Sequence, residues 1–227
     1  FRQGKISQKE AQYLLAFCCH PSPMFLLGYV RQQLPVGINS GLLLLSVCLP
    51  VPLLSFLAQK LYQPQTGGQR TSSPVRLETA PVCLESILLS SAETMVLIGG
   101  CMMMFSIFAL WIRQLSILPV RLQALVAGAV EMTTGIHQIS TVFPKYTAVA
   151  PALSAAAFGG ISGIFQTKSV LSDSLIQEKH SQEGLPVTSK NAGGLSIRHY
   201  VLWKLIHAGL TCIAAQLLIH LMQPLGL

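Results

Sequence analysis

Apolar residues fall into long runs separated by polar connectors, a pattern that predicts membrane helices. Residues 38–59 contain no charged side chain, nor do residues 94–112 or 146–167. A bilayer core of roughly 30 Å takes about 20 apolar residues as a helix, so each run is long enough to cross. A fourth run, 200–222, carries Lys204, His207 and His220 inside it. Two further stretches, 11–30 and 122–139, are apolar but interrupted by prolines or polar side chains. Together these six stretches predict an all-α, polytopic integral membrane helical bundle with broken or re-entrant helices.

The connectors add little mass. Residues 63–79 and 177–194, rich in Gly, Ser, Thr and Pro, read as loops. Residues 81–91 fit a short interfacial helix leading into the run that starts at Thr94. No connector is long enough to be a domain, and the chain reads as one membrane unit. It starts at Phe1 without a signal-peptide pattern, and its basic first residues through Glu10 read as a connector. The expectation is an N-terminal truncation, either of the gene or of a longer protein.

Composition agrees with the pattern. Only 10% of residues are charged and 51% are hydrophobic, with a mean hydropathy of +0.56. A soluble domain carries about a quarter of its residues charged, so lipid is expected to cover much of this surface. The net charge is +7, and the basic residues, among them Lys9, Lys60, Arg70, Lys168 and Lys190, cluster in connectors. No aromatic residues interleave with them as a nucleic-acid surface requires. Topology and anionic lipid account for them instead. The six cysteines form no CxxC and most lie in apolar runs, where Cys acts as a small hydrophobe. Neither a disulfide framework nor a metal or other cofactor is expected. Enzyme signatures are missing too: there is no GxSxG or HExxH, and Asp173 is the sole Asp.

Candidate chemistry sits where the apolar runs are interrupted. The interruptions are His20-Pro21-Ser22-Pro23, the stretch from Gly128 to Gly135, and Phe158-Gly159-Gly160-Ile161-Ser162-Gly163. In a membrane such breaks are tolerated where they face protein or a cavity, and carriers bind solutes at discontinuous helices. Glu131 is the strongest single feature, because a carboxylate inside an apolar helix faces other helices rather than lipid. Ala124, Ala127, Gly128, Glu131, Thr134 and Gln138 recur at spacings of three and four, predicting one small, polar stripe on one helix. Gly135 is placed to end or unwind that helix beside Thr133 and Thr134. Glu131 then binds a solute or coupling ion, or forms a structural bond between helices.

Other features have plainer readings. Ala155, Gly159 and Gly163 predict a small-residue face for close helix approach. Gln166 is either a ligand contact or part of a helix end. His137 reads as interfacial. Lys204 lies near the start of its helix and is expected to snorkel toward the interface. Cys18-Cys19-His20 offers too few ligands for zinc.

Three runs carry a resemblance to a known family. Ser22-Pro23-Met24-Phe25-Leu26-Leu27-Gly28, then GAVEMTTGI at 128–136, then FGGISGIFQ at 158–166 appear in that order. In this the chain resembles the sporulation integral membrane proteins of endospore-forming bacteria, whose repeats are called nucleoside-recognition or Gate domains. The resemblance covers nearly the whole chain. It implies an architecture similar to concentrative nucleoside carriers, with inverted repeats and re-entrant hairpins. Residues 1–62 would then be the end of a first Gate-like repeat, 63–93 a polar loop and interfacial helix, and 94–227 a second repeat.

By the same resemblance, Glu131, Thr133, Thr134, Ser162 and Gln166 line the site of the second repeat, and Ser22 and Asn39 contribute from the first. The implied activity is transport of a small polar solute, a dipicolinate-like anion or a nucleoside-like molecule. The implied partners are that solute, a coupling cation, the lipid bilayer and further copies of the chain. The implied location is the cell membrane, multi-pass, including a forespore membrane. A non-transporting scaffold for spore maturation is the alternative. Beside an anionic solute, Glu131 would be protonated or would hold the coupling cation; a neutral solute needs neither.

Overall fold

The computed structural model describes residues 7–35, 37–62, 84–169 and 197–222. Both predicted loops, at 63–79 and 177–194, lie outside them. The described residues are helical, and five stretches are long and apolar enough to cross a membrane: Lys9–Gln33, Ser40–Lys60, Leu84–Arg113, Lys145–Ser169 and Ile197–Leu221. The sixth stretch expected from sequence, 122–139, does something else.

In chain order, α1 (Gln8–Cys18) begins at a capping box in which Ser7 and Glu10 bond each other's backbone N–H. It stops before Pro21. Ser22 then caps α2 (residues 23–33), accepting from the Phe25 N–H at 3.1 Å, with Pro23 at the first helical position. Within α2, residues Leu26–Val30 form a π-turn. Asn39 caps α3 (Ser40–Cys48) and α4 follows (Pro50–Tyr62). A single helix, α5, runs for 30 residues from Leu84 to Arg113. Residues 84–91, the described part of the expected interfacial helix, continue into it without a break. At about 45 Å, α5 is longer than the roughly 30 Å hydrocarbon core of a bilayer. Only Phe105 and Ala109 on it are buried, so most of its apolar side chains lie outside the packed core.

Two 11-residue helices come next, α6 (Val120–Val130) and α7 (Met132–Val142), joined by the single extended residue Glu131. Each arm is about 16 Å long, half of a membrane crossing. They fold back on one another as a hairpin, and the contact is made by two glycines. A Cβ on Gly135 would lie 2.0 Å from the Gly128 Cα and 2.3 Å from its nitrogen. The expected continuous stripe on one helix is therefore corrected: Gly128 faces Gly135 and Ile139 across the hairpin, with the Ala127 backbone beside Gly135, because the helix reverses at Glu131. Pro119 leads into the hairpin and Pro144 leads out, both with extended backbone.

After a 3₁₀ turn (Lys145–Ala148), α8 (Val149–Phe158) has seven of its ten residues buried. Burial on all sides makes it the central helix. It packs along the hairpin, α3 and the last helix, α10 (Ile197–Met222). The Ser154 hydroxyl donates to the Ala208 carbonyl of α10 at 3.0 Å. Gly159 (φ 80°) and Gly160 (φ 72°) break the helix at the junction of α8 and α9 (residues 160–169), Gly160 being the first residue of α9. The expected close-approach face at Ala155, Gly159 and Gly163 does not form, since a Cβ on Gly159 or Gly163 would meet nothing within 4 Å. Positive φ, not helix proximity, is what Gly159 supplies.

Candidate functional site: three helix breaks in the bundle

The hairpin tip is built by Glu131 itself. Its side chain turns onto the free end of α7 and accepts from the Thr133 N–H at 3.0 Å, the Thr134 N–H at 2.7 Å and the Thr133 hydroxyl at 2.6 Å. A helix N-terminus carries unpaired N–H groups and partial positive charge, and a carboxylate answers both. Glu131 is 1% exposed. The second break lies directly against it: a Cβ on Gly160 would stand 3.1 Å from the Val130 carbonyl oxygen and 3.3 Å from the Glu131 Cα. Only glycine satisfies both the positive φ and this approach.

The first break reaches the same place through α2. The Tyr29 hydroxyl, on the π-turn, donates to the Thr133 carbonyl at 2.7 Å. From α5, Ser106 bonds the Thr134 hydroxyl at 3.2 Å. Removing one of these ties by Tyr29→Phe is expected to cost about 0.5–1.5 kcal/mol, the net worth of one hydrogen bond. Thermal unfolding in detergent measures it.

The site residues expected from sequence are thus distributed unevenly. Glu131, Thr133 and Thr134 form one hydrogen-bonded unit. Ser162 is 2% exposed and lies two residues past Gly160, with Gln166 a turn further along α9. Ser22 and Asn39 are exposed, and each bonds its own helix start, Asn39 Oδ1 accepting from the Gly41 N–H at 2.7 Å. Neither is hydrogen-bonded to the hairpin. His137 is exposed and pairs with Gln33 at 2.9 Å.

A second polar group lies at the first and third breaks. Lys204 does not snorkel: it is 4% exposed and its ammonium donates inward to the Cys19 carbonyl, with the Ala157 carbonyl at 3.5 Å. His207 is buried and its Nε2 donates to the Val47 carbonyl at 2.9 Å. The rings of His20 and His207 meet edge to face with centroids 4.9 Å apart. Among the described residues, the His207 Nδ1 and the Thr211 hydroxyl are buried without a hydrogen bond. The spacing Lys204, Ala208, Thr211, Ala215 signals a shared helix face; the inward direction follows only from where α1 and α8 end.

A cavity of about 710 Å³ opens between the hairpin, α8 and α10, with Leu125, Phe143 and Leu205 in its wall and Arg121, Thr147, Ser154 and Gln216 as polar members. Glu131, Thr133 and Thr134 are not in that wall. It is mostly apolar space beside the hairpin, distinct from the tip. The chain matches no protein-family model, no curated protein and no solved structure.

Proposed function

We propose that the chain is a membrane carrier for a small polar solute, with Glu131 as the group that meets the solute or a coupling ion. The observation that carries this reading is the meeting of a half-length hairpin tip with a second helix break inside an apolar bundle. Each break forfeits backbone hydrogen bonds that are costly to lose in hydrocarbon. A plain anchor has no use for them, whereas carriers bind solutes there. Reaching Glu131 requires the hairpin tip and the Gly159–Gly160 break to part.

The geometry supports a neutral solute over an anion. The Glu131 carboxylate already occupies the N-terminus of α7, where a solute anion would be drawn. Of roughly four acceptor positions on a carboxylate, three are taken by Thr133 and Thr134. What is left invites a hydroxyl or amide donor. A nucleoside-like molecule fits that better than a dipicolinate-like dianion. The sporulation-linked role implied by the Gate-domain resemblance is part of the same proposal. The second reading, a membrane scaffold for spore maturation, draws on the three internal bonds of Glu131, which also suit a purely structural cap.

Uptake into proteoliposomes separates the two. Uridine and dipicolinate are offered to wild type and to Glu131→Gln, which keeps one oxygen for the α7 N-terminus. The expected result is uridine uptake that falls at least about tenfold in the variant, equivalent to one hydrogen bond to a charged group. Undiminished uptake in the variant would remove Glu131 from the site. No uptake of either solute by wild type would leave the scaffold.

A further inference from the structure

Two helix C-termini converge on one lysine. α1 ends at Cys18 and its capping residue Cys19 gives its carbonyl to Lys204; α8 ends at Phe158 and turns its Ala157 carbonyl to the same ammonium. The last carbonyls of a helix lack intrahelical partners and carry partial negative charge. Two such ends brought together in apolar surroundings need a cation between them. In carriers with broken helices, half-helix C-terminal ends and unwound carbonyls are where a coupling sodium or proton is held.

Lys204 has no carboxylate partner among the described residues. Its bonds go to the two carbonyls, and the Tyr200 ring lies 5.9 Å from the ammonium. The titratable side chains around it are Cys19 and His20 from the end of α1, and Tyr200 and His207 from its own helix. The neighbouring α8 has none, and α3 has only the exposed Cys48. Among the described residues no three His, Cys, Asp or Glu side chains group to hold a metal ion. A lysine paired with helix ends rather than with an acid is doing what a bound ion does.

We propose that the Lys204 ammonium is a tethered cation seated in a helix-end carbonyl site, in the place where a mobile sodium ion would otherwise bind. The first and third helix breaks are pinned by this covalently attached charge, and the site exchanges a proton with water instead of exchanging a metal ion. That last clause rests on the carrier reading above; the pinning does not.

The test supplies the cation in trans. The full chain, purified in detergent, is unfolded thermally in sodium, methylammonium or choline chloride at equal ionic strength. Wild type is expected to show one midpoint in all three. Lys204→Ala is expected to unfold at a lower temperature and to recover saturably with methylammonium, but not with bulky choline, as binding to the folded state alone requires. Lys204→Arg should stay close to wild type and Lys204→Met, neutral and of similar length, should not. If Lys204→Ala is too unstable to purify, its yield should rise when cells are extracted into methylammonium.

Saturable stabilisation of wild type by sodium that persists in Glu131→Gln would overturn the proposal, as would Lys204→Met as stable as wild type. So would a Lys204→Ala variant indifferent to small cations. None of these readouts needs a transported solute. Cation rescue without any solute uptake would sink the carrier reading and leave the tethered cation standing.

Discussion

Gly135→Ala is expected to destabilise the protein by at least about 3 kcal/mol, the upper end for overpacking, or to prevent its accumulation. The added methyl would sit 2.0 Å from the Gly128 Cα, and neither partner is a side chain that can swing aside. Relief requires the two arms of the hairpin to separate. That movement would carry Ile136 and Ile139, both fully buried, out of their seats against α8. The internal comparison is Gly99→Ala and Gly163→Ala, where nothing lies within 4 Å of the new Cβ. Both are expected to gain up to about 1 kcal/mol from helix propensity. Thermal midpoints of the three variants, measured side by side, check the hairpin directly. A Gly135→Ala midpoint equal to wild type would mean that the arms do not touch.

Glu131→Ala is the second large effect. The substitution removes all three bonds at the tip, leaving the Thr133 and Thr134 N–H groups and the Thr133 hydroxyl without their acceptor. Loss of an N-cap costs about 1 kcal/mol, and each buried donor left unpaired costs about 1–3 kcal/mol. The two N–H groups together point to a loss of roughly 2–6 kcal/mol. Glu131→Gln should lose less, because one oxygen remains to accept. Protease cleavage at the hairpin, followed by mass spectrometry, localises the damage: cuts near the tip should appear in Glu131→Ala before global unfolding. Loss of stability with no new cleavage there would mean that the cap is not what holds α7.

Much of the architecture could be read from the chain because hydrocarbon imposes a simple rule on it. Five of the apolar stretches are helices of crossing length, and their breaks fall at the proline and glycine runs, where backbone geometry forbids a regular helix. The reversal at Glu131, several residues before the expected break at Gly135, was hidden for a geometric reason. Gly128 and Gly135 are seven apart, so they share a face on one straight helix and also face each other across a reversal at Glu131. Spacing alone fits both, and only the contact between the arms decides. Lys204 was hidden for another reason. Position within α10 allows it to reach the interface or the core, and the choice depends on α1 and α8 ending beside it, more than 40 residues away in sequence. Ser22 and Asn39 show the converse: polar residues flanking apolar runs have caps to fill, whatever the site does.

The hairpin's one-residue turn has a mechanical consequence. With no slack at Glu131 and two glycines locked together behind it, the tip has no means of bending on its own. Gln123 stitches the leading turn to the base of the hairpin through the Leu115 and Leu118 carbonyls, each at 2.8 Å. The pivots are thereby pushed outward, to the end of α5 on one side and to Pro144 on the other. Any displacement that uncovers Glu131 is then a swing of the whole hairpin as a stiff lever, with the tip travelling furthest and the base least.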